Sequence, residues 1–136
     1  MIRLARTLIG AVVLVGIVVS VSGSALAATT VGEPAPDFTL HDVDGNEVAL
    51  SNYGGKTVVL EWFNSECPFV KKHYRTGHMQ KLQAQAKEDG VVWLTIDSTH
   101  PGHKSFVPAE QRHALLADFK MASSSYLADE TGTVGR

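Results

Sequence analysis

The chain has 136 residues, a formal net charge of −2 and one cysteine. This length supports one small domain with a hydrophobic core of its own. The single cysteine excludes an internal disulfide, and the net negative charge argues against a nucleic acid as the partner.

The N-terminus has the pattern of an export signal. Two arginines precede an apolar stretch over residues 8–21, and Ala25-Leu26-Ala27 follows it. This succession is typical of a secretory signal peptide that is cleaved after its small residues. We therefore predict a signal peptide over residues 1–27, a mature domain over residues 28–136 and localisation in the periplasm or outside the cell. The alternative is an uncleaved membrane anchor, although the stretch is shorter than the roughly 20 apolar residues that span a bilayer.

A hairpin and a buried strand open the predicted domain. The alternating residues 37–40, the Asp44-Gly45 turn and the apolar return over residues 48–50 indicate a β-hairpin. The mostly apolar run over residues 58–63 indicates a central strand that is covered on both faces.

The pattern changes to helical at Pro68. Apolar residues then recur at three- and four-residue steps, which predicts a helix: Phe69, Val70, Tyr74, Met79, Leu82 and Ala86. Gly77 is expected to break or kink this helix. A second apolar run over residues 91–96 predicts a strand parallel to the first one. Pro108 opens a further helix, and residues 126–128 form a short last strand.

Cys67 lies where the first buried strand ends and the helix begins. The first backbone N–H groups of a helix have no intrahelical partner and favour the thiolate, which is the reactive form of cysteine. Pro68 suits the first helical position, and Lys71 and Lys72 add nearby positive charge. The carboxylate of Glu66 opposes this effect. Cys67 is therefore a candidate redox nucleophile, and a small buried apolar residue is the alternative.

Several segments resemble one family. Residues 31–40, the Asp44-Gly45 turn, residues 56–60 and Cys67-Pro68 resemble the thioredoxin-fold redoxins, the superfamily of alkyl hydroperoxide reductase/thiol-specific antioxidant proteins. Residues 61–74 are similar to an exported, peroxiredoxin-like bacterial branch. The resemblance implies an α/β, thioredoxin-like three-layer fold with an N-terminal hairpin and a β-α-β core. It also implies that the last strands, the final helix and the cis-proline loop of that fold are missing, so we expect a partial domain.

The sequence departs from the family pattern at the reactive cysteine. Peroxiredoxins carry Thr or Ser three residues before that cysteine, and Asn64 occupies this position here. They carry Pro four residues before that Thr or Ser, and Leu60 occupies that position. They also carry a later arginine that clamps the thiolate, and no arginine lies far enough downstream here. Thioredoxins have a Cys-x-x-Cys pair, and its second place is Val70. Only a mechanism with one cysteine is open to this chain.

The leading hypothesis is a thiol-dependent oxidoreductase in which Cys67 attacks a peroxide or a disulfide substrate. Asn64 and Ser65 are expected to stabilise the group under attack, and Pro68, Lys71 and Lys72 to stabilise the thiolate. An external thiol reductant must then regenerate Cys67. We expect no cofactor, no metal and no nucleic acid, and contact with a membrane only if the signal is uncleaved.

Two alternatives stay open. One is a non-catalytic thioredoxin-fold module that binds other proteins. The other is a copper-binding module of the same fold, with ligands drawn from these residues: Cys67, His73, His78, His100 and His103.

Overall fold

A computed structural model describes residues 30–135, and the predicted signal peptide lies outside this range. Contacts divide the chain into one unit over residues 1–33 and another over residues 34–136. The described part of the first unit is a turn, in which the Glu33 N–H donates to the Thr30 carbonyl at 3.2 Å. Among residues 30–135, no helix is both long and apolar enough to cross a membrane.

The second unit is built on a five-stranded mixed sheet. The strands are β1 (Thr39–Asp42), β2 (Glu47–Ala49), β3 (Val58–Trp62), β4 (Val92–Asp97) and β5 (Ser125–Ala128). Their order across the sheet is β2-β1-β5-β4-β3. Strand β1 runs antiparallel to β2 and β5, whereas β3, β4 and β5 are parallel. The predicted hairpin and the predicted parallel strand–helix–strand unit are both confirmed.

Three helices pack on one face of this sheet. Helices α1 (Pro68–Arg75) and α2 (His78–Glu88) connect β3 to β4, and α3 (Ala109–Asp118) connects β4 to β5. Gly77 separates α1 from α2 with a φ of +75°, as its predicted role as a helix break requires. Helix α3 begins one residue later than expected, because Pro108 has the extended ψ of 153° and stands just outside it.

The core has two parts, one on each face of the sheet. The helix side is an aromatic cluster of Phe63, Tyr74 and Tyr126, against which Met79 and Phe119 pack. The other side holds buried aliphatic residues from three strands, β1, β4 and β5, and no helix of α1 to α3 contributes to it: Leu40, Val92, Leu94, Ile96 and Leu127.

The predicted helical stretch is confirmed as α1 and α2, but two of its recurring apolar residues are exposed. Phe69 is 73% exposed and Leu82 is 55% exposed, whereas Gln83 is 1% exposed. The turn at Gly77 changes the direction of the chain, so one continuous apolar period does not describe both helices. Gln83 is buried because its side chain hydrogen-bonds to Tyr74 and Glu61.

Candidate active site

Cys67 occupies the corner between β3 and α1, as the sequence predicted. It is the residue that precedes the first turn of α1, with φ −66° and ψ 123°, and Pro68 is the first helical residue. The Cys67 N–H donates to the Asn64 carbonyl at 3.1 Å, and the Cys67 carbonyl accepts from the Lys71 N–H at 2.9 Å. The thiol is free and partly exposed. A partly exposed thiol beside unpaired helix N–H groups is positioned for reaction in solution.

The two predicted cations, Lys71 and Lys72, have different surroundings in the structure. Lys71 Nζ lies 2.7 Å from a carboxylate oxygen of Glu66, so the two charges that flank Cys67 in sequence pair with each other. Lys72 is exposed and lies about 140° around the helix axis from Cys67. Because Cys67 directly precedes α1, the helix start is the stabilising feature that the structure places beside the thiol.

Asn64 links the cysteine corner to the loop that follows β4. Its amide Nδ2 donates to Thr99 Oγ1 and to Ser105 Oγ, both at 2.9 Å. Its Oδ1 accepts from the Glu66 N–H at 2.9 Å. Both amide hydrogens are thus used within the protein, and Asn64 holds the backbone before Cys67 in place. Ser65, the other predicted contact residue, is 7% exposed at this same turn.

The loop after β4 continues this network away from Cys67. Ser105 is 5% exposed, and its hydroxyl lies 2.7 Å from His103 Nδ1. Thr99 is fixed by its N–H, which donates to Asp97 Oδ1 at 2.9 Å. Asp97 Oδ2 in turn accepts from the Tyr126 hydroxyl at 2.6 Å. One chain of hydrogen bonds therefore joins the cysteine corner to the ends of β4 and β5.

Glu61 forms a second polar centre, which the sequence interpretation missed. Its carboxylate accepts hydrogen bonds from four side chains of α1, α2 and β4: Tyr74 at 2.9 Å, Gln83 at 3.0 Å, Trp93 at 2.8 Å and Thr95 at 3.1 Å. Burial, followed by the Glu61 charge, raises the pKa of Tyr74 above its ordinary value. An acid within an otherwise apolar strand was the available signal for this network.

The copper-binding alternative lacks a ligand set in the part of the chain that the structure covers. Within residues 30–135, no three side chains of His, Cys, Asp or Glu converge on one point. His103 is hydrogen-bonded to Ser105, and His100 Nδ1 accepts from the Gly102 N–H.

Comparison with known proteins identifies relatives of the second unit. The sequence pattern of the AhpC/TSA family matches residues 31–136. The thiol-disulfide oxidoreductase ResA of Halalkalibacterium halodurans is 33% identical over 70 residues, which are 52% of this chain and 39% of that protein. The chain thus spans less than half the length of this curated relative.

Solved structures share the fold. A hypothetical protein from Sinorhizobium meliloti superposes with a TM-score of 0.68 and 22% identity, over 80% of this chain and 58% of that one. The thioredoxin domain of a thiol-disulfide oxidoreductase from Bacteroides vulgatus superposes with a TM-score of 0.57 and 17% identity, over 79% and 71% of the two chains. The fold is α/β and thioredoxin-like, as the sequence resemblance implied.

Proposed function

Because the chain belongs to the AhpC/TSA family, we propose that it is a thiol-dependent oxidoreductase whose redox-active residue is Cys67. The observation that carries this proposal is the free, partly exposed Cys67 at the start of α1. The side-chain amide of Asn64 supports the same proposal, because its hydrogen bonds fix the backbone that precedes the thiol. A cysteine that only filled space would need neither the helix start nor the exposure.

Thiol–disulfide exchange is the first candidate reaction. The Cys67 thiolate attacks one sulfur of a substrate disulfide, a new S–S bond forms, and the other sulfur leaves as a thiolate. An external thiol then attacks the mixed disulfide and releases Cys67 in its reduced form. The external thiol is required because Cys67 is the chain's one cysteine. The name of the Halalkalibacterium halodurans relative, a thiol-disulfide oxidoreductase, supports this candidate.

Peroxide reduction is the second candidate, and the family match supports it. The Cys67 thiolate attacks one peroxide oxygen, the O–O bond breaks, and the other oxygen leaves as hydroxide or alkoxide and takes up a proton. Cys67 is then a sulfenic acid, which two equivalents of an external thiol return to the thiol with release of water.

The test compares the reactivity of Cys67 in the folded and unfolded chain. We expect iodoacetamide to alkylate native Cys67 faster than the denatured chain at the same pH. A model disulfide should yield a mixed disulfide, or low peroxide a trappable sulfenic acid, and Cys67→Ser should abolish both. Formation of only one adduct selects between the two candidates. A native thiol that alkylates no faster than the denatured one and forms neither adduct would leave a non-catalytic binding module as the better interpretation.

We also propose that the protein acts in the periplasm or outside the cell. The support is the basic, apolar and small-residue succession at the N-terminus. The intact mass of protein recovered from the cell envelope is expected to correspond to a chain that begins at Ala28. A full-length species that requires detergent for extraction would show a membrane anchor instead.

A further inference from the structure

A groove of about 720 Å³ opens between the end of α1, the start of α2 and the end of α3. Its walls carry three cations and one carboxylate: Lys71, Arg75, Lys120 and Asp118. The groove is therefore net positive, whereas the whole chain carries a net charge of −2. Lys71 is paired with Glu66, but neither Arg75 nor Lys120 has a carboxylate within 4.0 Å among residues 30–135.

The floor of the groove is a fixed, partly aromatic surface. The rings of Tyr74 and Phe119 meet edge to face, with centroids 5.3 Å apart. Gln80 Nε2 donates to the Tyr74 carbonyl at 3.0 Å and to the Phe119 carbonyl at 2.7 Å. One side chain thus joins the end of α1 to the end of α3. A preformed surface of this kind costs less conformational entropy when a ligand binds.

Lys120 occupies a backbone position at which a side chain is disfavoured. Its φ is +49°, and it follows α3 where glycine is the usual residue. The Lys120 N–H donates to the Ala117 carbonyl and the Met121 N–H to the Leu116 carbonyl, both at 3.0 Å. This geometry closes the helix and places a long cationic side chain on the groove wall.

The groove begins one helical turn from Cys67. Lys71 and Arg75 follow Cys67 by four and eight residues and lie on the same side of α1. Along the axis they lie about 6 Å and about 12 Å beyond it. An extended peptide covers about 3.3 Å per residue, so these distances correspond to roughly two and four residues of a bound chain.

We propose that this groove binds an acidic, extended segment of a protein substrate whose cysteine reacts with Cys67. The inference rests on the proposed function, because it assigns the substrate of the same thiol. Asp or Glu residues two to four positions from the substrate cysteine pair with Lys71 and Arg75, and Lys120 contacts the segment from the facing wall. The guanidinium of Arg75 suits this role because its planar donors match a carboxylate.

The experiment uses the full chain and three peptide disulfides of equal length. Each peptide carries one cysteine joined to a chromophoric thiol, flanked two to four residues away by Asp, by Ser or by Lys. We expect the acidic peptide to release the chromophore fastest, and we expect its advantage to decrease with salt. In the double variant Arg75→Glu/Lys120→Glu, the rate advantage of the acidic peptide should be at least about threefold smaller than in the native chain. This is about the effect of losing two exposed ion pairs.

Lys87→Glu is the matched control, because Lys87 is an exposed lysine of α2 outside the groove. It should keep the acidic preference and react with the neutral dipyridyl disulfide at the rate of the native chain. Equal losses in Lys87→Glu and in the groove variant, or no acidic preference at all, would overturn the proposal. A cysteine-free, fluorescent acidic peptide distinguishes failure of the groove assignment from failure of the proposed chemistry at Cys67. If Cys67 is inert but this peptide binds the full chain and not the groove variant, the proposed chemistry fails and the groove assignment stands.

Discussion

At the scale of single residues, Asn64 is the side chain on which the geometry of the cysteine corner depends. It makes three hydrogen bonds, two to side chains of the loop after β4 and one to the Glu66 N–H. We expect Asn64→Ala to lower the free energy of unfolding by about 1–3 kcal/mol, because hydroxyls and an N–H lose partners in a partly buried site. Chemical denaturation measures this change.

The matched control is Asn52→Ala, which removes an exposed asparagine from the turn before β3. Its effect should stay within about 0.5 kcal/mol, as is usual at exposed positions. Folded Asn64→Ala should also form the Cys67 adduct more slowly than the folded native sequence. The alkylation rates of the two denatured chains should differ less. Equal midpoints for the two alanine variants would show that the Asn64 network contributes nothing to the corner.

The sequence predicted Cys67 and Pro68 at this corner because both depend on local signals, namely the end of an apolar run and a proline at a helix start. It also selected Asn64, but as a residue free to contact the sulfur. The partners of Asn64 lie 35 and 41 residues further along the chain. Pairing over that separation follows from the parallel alignment of β3 and β4, and no local pattern contains it.

At the scale of helices, Gly77 decides how α1 and α2 meet. Its φ of +75° disfavours any residue with a side chain, although a Cβ there would contact nothing within 4 Å. We expect Gly77→Ala to destabilise the fold by about 1–2 kcal/mol, from backbone strain alone. Gly54→Ala is the control, since Gly54 has a φ of −50° and its Cβ would meet only Ser51 O at 3.7 Å. Thermal unfolding measures both changes. If Gly54→Ala destabilises the protein as much as Gly77→Ala does, backbone strain at Gly77 is not the cause.

Helix periodicity predicted where α1 and α2 lie but not which faces they bury. Leu82 is part of the apolar recurrence that predicted the helix, whereas the structure buries its neighbour Gln83. Gln83 donates to the Tyr74 hydroxyl at 2.7 Å and to Glu61, and its Oε1 accepts from the Ala122 N–H at 2.8 Å. A buried polar network of this kind is invisible to a pattern that scores only apolar residues.

At the scale of the whole molecule, the sheet ends at β3. Within residues 30–135, β3 pairs with β4 alone, and Trp62 at its end is 50% exposed. Phe69, the second residue of α1, is also exposed. The strand with the free edge, β3, is therefore the one that leads into the cysteine corner, and it lies at the opposite edge of the sheet from the hairpin strand β2.

Two buried tyrosines, Tyr74 and Tyr126, should make the stability of the domain decrease with rising pH in the alkaline range. The Tyr126 hydroxyl donates to Asp97 at 2.6 Å, and the Tyr74 hydroxyl donates to Glu61. In both, burial and then the neighbouring carboxylate raise the pKa above its ordinary value. A group whose pKa is raised in the folded state contributes stability that is complete below its unfolded pKa, about 10 for tyrosine, and is lost as the pH rises beyond it.

The free energy of unfolding is therefore expected to fall above about pH 10, with each tyrosine adding up to roughly 1.4 kcal/mol per pH unit to the slope. Denaturant titrations at pH 9, 10 and 11 would measure this slope for the native sequence, Tyr126→Phe and Tyr74→Phe. Each variant should be less stable at neutral pH, because a carboxylate loses a donor, yet should show a shallower alkaline slope. Slopes that match the native one would mean that these hydroxyls ionise alike in the folded and unfolded chains, and that the carboxylates beside them do not hold the protons in place.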